Sequence, residues 1–199
     1  MAGAALTLPL FLVLPPGPRE GELWVHLLDV GQGLATVVRT AHHSLVYDTG
    51  PKWNPDADSG SRIVVPFLRG EGIRELDALI ITHADDDHSG GARSVIDARQ
   101  PKWVMTSMDA DSEGLEGAAG LRKCNAGDAW RWDGVGFDIL GHTVAALGDK
   151  VRATRRVERG VSIRSITGVV DDLPLGADKN PAGMAVLAHV ANSVDGVVL

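Results

Sequence analysis

Two imidazoles and three carboxylates stand within six residues at His83-Ala84-Asp85-Asp86-Asp87-His88. Packed this closely, the acids repel one another and resist desolvation unless a cation lies among them. Nitrogen and oxygen donors in this mix suit hydrolytic metals, which need positions open for water and substrate. The plainer alternative is an acidic, solvated loop that happens to hold two histidines. Context favours the metal. An apolar run, Ala78 to Ile81, leads into the loop, and Ser89-Gly90-Gly91 with a short helical pattern follows it.

The elements that must position this loop can be read on either side of it. Leu76 to Thr82 is a continuous apolar run and predicts a buried strand, so His83 to His88 falls in the loop at a strand's carboxyl end, where open sheets commonly place ligands. Ser89 is expected to cap a helix over Ala92 to Ala98. Upstream, strands are expected over Glu22 to Asp29, Ala35 to Arg39 and Ser44 to Tyr47, joined by short turns as an antiparallel meander. The last of these ends in Asp48-Thr49-Gly50. His42 and His43 read as solvated turn residues. Lys52 to Ser59 reads as a polar loop, and Ile63, Val64, Phe67 and Leu68 recur at helical spacing before Gly70 and Gly72.

Downstream, Lys102 to Thr106 predicts a strand, and Ala110 to Gly120 a surface loop or frayed helix. Asp133-Gly134 predicts a hairpin between Ala129–Trp132 and Val135–Leu140. His142 follows that hairpin on a strand-end rim. Strand-like runs follow at 163–170 and 173–175. Pro181 then opens an expected helix with Met184, Leu187, Ala188, Ala191 and Val194 on one face. Val197 and Val198 begin a further strand, so the domain is expected to continue beyond Leu199.

Composition limits the partners. The 199 residues suffice for one domain with a core, and the formal net charge is -7. Such a chain does not attract nucleic acid by overall charge and needs a local patch or metal ions to do so. The one basic cluster runs from Lys150 to Arg164 and includes Arg155 and Arg156. It reads either as a surface loop or as a contact to an anionic phosphate backbone. The single Cys124 excludes an intramolecular disulfide. Residues 1–18 form an apolar, Pro-terminated lead-in too short to span a bilayer, which needs about 20 residues. They read as a linker or the end of a membrane helix, with the domain over 19–199.

His83-x-Asp85-x-Asp87-His88 resembles the signature of the metallo-β-lactamase fold, in the variant where Asp replaces the middle His. Together with Leu28-Asp29-Val30-Gly31-Gln32-Gly33, Tyr47-Asp48-Thr49-Gly50 and His88-Ser89-Gly90-Gly91, it is similar to the C-terminal hydrolase-like domain of ComEC-type DNA-uptake proteins. The resemblance implies an α/β fold, an αββα sandwich incomplete at its C-terminus. It implies two divalent metal ions, Zn or Mn, with His83 and Asp85 on one and Asp87 and His88 on the other. Asp178 would bridge them, although the order here is Gly-Ala-Asp. Asp48 would orient ligands or bound water, and His142 occupies a place where the family carries a Leu-His-Pro stretch. Asp87 and His88 are the expected catalytic residues.

The implied activity is metal-dependent cleavage of DNA, as a single strand. It would belong to a domain that carries no nucleotide cofactor and adjoins the channel portion of a bacterial inner-membrane protein. Leu34 departs from the family's usual acidic residue, and the chain ends before the family's His-His-Gly-Ser motif. Two other classes stay open: a non-catalytic DNA-guiding module of the same channel, and a stand-alone metallo-hydrolase.

Overall fold

The computed structural model describes residues 15–141 and three further strands, Val161–Ile166, Ala185–Val190 and Gly196–Val198. Short β-branched and aromatic runs separated by glycine or polar turns make the first three strands: β1 (Leu23–Leu27), β2 (Ala35–Arg39) and β3 (Ser44–Thr49). They pair antiparallel, with Val25 opposite Val38 and Val37 opposite Val46, so the expected meander is present.

Lys52 to Ser59, expected as loop, instead holds a small hairpin of β4 (Lys52–Asn54) and β5 (Ala57–Asp58). A π-helical turn, Gly60–Val64, then runs into α1 (Val65–Gly70), with Pro66 in its first turn. This crossover returns the chain to β6 (Ala78–Ile81), parallel to β3 with Leu45 opposite Ala78. Beyond β6 come α2 (Asp86–Ser89) and α3 (Ala92–Arg99), and then β7 (Trp103–Thr106) and β8 (Leu121–Lys123), again parallel. β8 was not expected. β9 (Ala129–Trp132) and β10 (Val135–Gly141) form the hairpin about Asp133-Gly134, both of which have positive φ as a two-residue hairpin turn of this type demands. β11 (Val161–Ile166) lies parallel to β1.

The strand order is β11-β1-β2-β3-β6-β7-β8 in the larger sheet and β13-β12-β10-β9 in the smaller, where β12 is Ala185–Val190 and β13 is Gly196–Val198. The helix expected from Pro181 is therefore corrected. Ala185–Val190 is a strand, antiparallel to β10 with Asp138 opposite Leu187. Five of its six residues are apolar, so no period separates helix from strand, and pairing with both β10 and β13 overrides local propensity.

Alternation along each strand divides the core in two. Val46, Leu79, Ile81 and Val104 face the helices and meet Val64, Leu68, Val95 and Ile96. Leu45, Tyr47, Ile80 and Met105 face the second sheet and meet Val135, Phe137 and Ile139. The result is a helix layer on one sheet and a second sheet on its other face. Each fully buried Leu, Ile or Val contributes roughly 1.5–3 kcal/mol, and it is this two-sided burial that makes β3 and β6 rigid supports. No helix among the described residues is long and apolar enough to cross a membrane.

Candidate metal centre

The carboxyl ends of β3 and β6, adjacent and parallel, carry Asp48 and His83. His83 leaves the carboxyl end of β6, a strand inside the larger sheet between β3 and β7. The segment after it is also not all loop. From Asp86 it turns into α2, so Asp87 and His88 sit on a helical turn. Ser89 does not cap α3. Its Oγ donates back to the Asp85 carbonyl at 3.1 Å, while Gly91 holds the N-cap position without a side-chain bond. A hydroxyl already engaged with the preceding turn cannot reach forward to cap the next helix.

Asp48 is fully buried and adopts a left-handed backbone, φ 54°, a conformation that costs a non-glycine residue on the order of 1–3 kcal/mol unless its surroundings hold it. They do. Asp48 Oδ1 accepts from the Thr82 amide at 2.8 Å, and Oδ2 accepts from Thr82 Oγ1 at 2.8 Å. His88 Nδ1 lies 2.8 Å from the same Oδ2. Because the carboxylate accepts, His88 carries its proton on Nδ1, and Nε2 is the ring's basic nitrogen. Thr82 Oγ1 has given its hydrogen to Asp48, so at 2.7 Å it accepts from His83 Nδ1. The same tautomer follows for His83.

Both basic nitrogens turn toward the loop acids. His83 Nε2 lies 3.4 Å from Asp85 Oδ2, and His88 Nε2 lies 4.0 Å from Asp87 Oδ2. The two rings are 4.2 Å apart between centroids. His83 is buried, His88 is partly so, and the Asp85 and Asp87 carboxyls are 57% and 41% exposed. The arrangement is a pair of nitrogen donors anchored in the fold beneath oxygen donors open to solvent. Burial, and then the neighbouring Asp48 carboxylate, push the Tyr47 phenol well above its ordinary pKa, so this neighbour stays neutral.

The loop's backbone is held as well. Thr49 Oγ1 donates to the His88 carbonyl at 3.0 Å, and the Leu34 amide donates to the Asp87 carbonyl at 3.1 Å. That second bond requires the β1–β2 turn to come very close. A Cβ on Gly33, whose φ is 131°, would lie 2.2 Å from the Asp87 carbonyl oxygen.

The expected residues Asp48, His83, Asp85, Asp87 and His88 thus come together, while His142, Arg155, Arg156 and Asp178 lie outside the described residues. Thr82 and Thr49 belong to the site but were missed. A threonine closing an apolar strand immediately before the first histidine was the available signal for Thr82.

Among the described residues, the one trio of potential ligand atoms within 4.8 Å of one another lies elsewhere, at Glu20, His42 and Asp133. It sits by the turn that begins β3, at the far end of that strand from Asp48. There Asp133 Oδ2 already accepts from Thr40 Oγ1 at 2.6 Å, the His42 amide at 2.7 Å and His43 Nδ1 at 3.0 Å. His43 also stacks on Trp132. The turn expected to be merely solvated is a clamp between the two sheets, in which Asp133 Oδ2 takes three donors from residues 40–43.

The chain matches the model of the Metallo-beta-lactamase superfamily over residues 28–154. The chain belongs to the metallo-beta-lactamase superfamily. It is also 39% identical over 126 residues to Competence protein ComA of Neisseria gonorrhoeae and 37% identical over 126 residues to Recombination protein 2 of Haemophilus influenzae. Each match covers 63% of this chain and only 16% or 15% of the relative. A HARLDQ-motif mutant of a metallo-beta-lactamase from Cronobacter sakazakii shares the fold, with TM-score 0.54, 13% identity, and coverage of 94% of this chain and 63% of that one. The expected α/β sandwich is therefore the observed one. The superfamily is one of hydrolases, and its fold implies divalent metal binding. The donor set at His83 to His88 fits such an ion, since both anchored imidazoles offer Nε2 and the acids beside them supply hard oxygen donors.

Proposed function

We propose that this domain is a metal-dependent phosphodiesterase that cleaves DNA within a bacterial DNA-uptake protein. The observation that carries this reading is the bond network from Asp48 directly to His88 and through Thr82 to His83, which presets two nitrogen donors against a carboxylate-rich loop. Likeness to a competence protein supports DNA as the substrate.

His83 and Asp85 would hold one ion and Asp87 and His88 a second, with Asp178 between them and His142 at the rim. Oxygen-rich ligation admits Mn as well as Zn. When bound, such a pair supplies water of lowered pKa and stabilises charge on the attacked phosphorus. The chain's own part is to orient. Asp48 and Thr82 fix the tautomers, the Leu34 amide steadies the Asp87 carbonyl, and Arg155 and Arg156 would hold the phosphate backbone. Residues 1–18 would join the domain to a membrane channel portion of the full-length protein.

The test is elemental analysis of protein purified without chelator, followed by incubation with single-stranded and duplex DNA. About two Mn or Zn per chain, lost in His83→Ala, together with cleavage lost in Asp87→Ala, is the expected result. Metal without cleavage, with Asp87→Ala behaving like the parent, sinks the nuclease and leaves a DNA-guiding module.

A further inference from the structure

Trp53 is the one large hydrophobic residue that stands exposed among the described residues, at 50%. It lies on the β4–β5 hairpin and lines a cleft of about 810 Å³ that runs past Ala84 and Asp86 of the metal loop. The four expected loop ligands do not line this cleft. It borders their neighbours, so whatever occupies it passes beside the metal centre.

The hairpin's position is tied to that centre through the backbone. A Cβ on Gly90, two residues beyond His88, would lie 2.2 Å from the Lys52 amide nitrogen and 2.7 Å from the Pro51 carbonyl carbon. The chain entering the hairpin therefore rests directly on the turn that carries His88, and Trp53 is held at a set place relative to it. Two cations also line the cleft, Lys52 beside Trp53 on the hairpin and Arg93 on α3. Lys52 pairs with Glu113 at 3.4 Å, and Arg93 pairs with Asp97 at 2.8 Å and Glu116 at 3.3 Å. These side chains are 41–88% exposed. Exposed pairs of this kind are screened by water and hold their partners weakly, so a phosphate oxygen can replace their carboxylates. Asp86, Glu113 and Glu116 still leave the cleft without positive excess, so charge alone would not hold a polyanion there.

We infer that Trp53 is the stacking platform on which a base of single-stranded DNA rests as the strand enters the metal centre, with Lys52 and Arg93 taking flanking phosphates. The inference rests on the reading of DNA as substrate. It commits to a single strand because a paired base offers no face to an indole, and base–aromatic stacking tolerates any sequence. It also implies a shallow salt dependence, since few net counterions are released.

The experiment uses the whole chain carrying His83→Ala, so that binding is read without cleavage. Fluorescence anisotropy of labelled oligo-dT, an abasic strand of equal length and a duplex is measured with and without Trp53→Ala or Trp53→Phe. Stacking is worth about 1–3 kcal/mol per base, so Trp53→Ala should weaken oligo-dT binding about 5- to 150-fold. Trp53→Phe should restore much of it, and neither change should alter abasic-strand or duplex binding. Equal binding of oligo-dT by parent and Trp53→Ala overturns the proposal, as does an equal loss for all three ligands or no binding at all. The nuclease reading is decided separately, by cleavage in the His83 protein.

Discussion

His88 Nδ1 lies 2.8 Å from Asp48 Oδ2, although the two residues are forty apart in the chain. The bond joins the end of β3 to the turn after β6, and Thr82 extends it to His83. One buried carboxylate thereby sets the proton position on both imidazoles. Neutral histidine ligates through the nitrogen that lacks the proton, so Asp48 decides which atom of each ring faces Asp85 and Asp87.

Asp48→Asn keeps the volume but puts an amide in place of one acceptor, facing donors. Loss of such an orienting partner typically costs 10–100-fold in metal affinity. We expect Zn or Mn affinity, measured by competition with a chromophoric chelator, to fall by about that factor. The melting temperature in chelator should fall too, because a buried donor loses its acceptor. Unchanged affinity would show that the rings are oriented by something other than Asp48.

Thr82→Val removes a hydroxyl that both donates to Asp48 and accepts from His83, with little change of shape. About a 10-fold loss of metal affinity is expected, with Thr82→Ser close to the parent. If serine fails as badly as valine, packing of the methyl group and not the hydroxyl is what matters at this position.

Much of the scaffold was legible because local rules and tertiary structure agree. Ala35–Arg39 and the Asp133-Gly134 hairpin follow from alternation and turn chemistry, and burial of Ala78–Ile81 from its unbroken apolar run. Ala185–Val190 was misread because a nearly continuous apolar run shows no period of its own, and only pairing with β10 and β13 makes it a strand. The metal loop announced itself by composition. Its supports did not, since the Asp48–His88 contact spans the π-turn, α1 and β6, and Thr82 carries no signature of its own. Asp48 was reached by family resemblance alone. Trp53 was hidden in a stretch whose Asp and Pro content suggested loop, because a hairpin of three and two residues leaves no periodicity to read.

Gly33→Ala tests the contact between the β1–β2 turn and the metal loop. Its Cβ would collide with the Asp87 carbonyl oxygen at 2.2 Å, whereas a Cβ on Gly31, also at positive φ, meets nothing within 4 Å. Gly31→Ala should therefore show backbone strain alone, about 1–2 kcal/mol. Gly33→Ala should lose clearly more and also weaken metal binding, because the obstructing atom belongs to the segment that carries Asp87. Urea unfolding of the two variants in parallel checks this. Equal losses would mean the turn can move away without disturbing the loop.

Asp133 offers a prediction about pH that is independent of the metal. Burial raises its pKa, but bonds from Thr40 Oγ1, His43 and the His42 amide outweigh this and bring it from 3.8 down to about 2. A carboxyl with a depressed folded-state pKa stabilises the protein fully above its unfolded value and loses that contribution as pH falls through the folded value. The side chain is 8% exposed but sits in a hairpin turn where nearby water screens its charge, so the shift is worth about 1–2 kcal/mol at about 1.4 kcal/mol per pH unit. Asp133→Asn should therefore be less stable than the parent by about that amount between pH 5 and 7. The gap should narrow below pH 4 and close near pH 2. A gap that stays constant across that window in denaturant titrations would show that the amide loses shape or packing, and that the charge on Asp133 contributes nothing to the clamp between the two sheets.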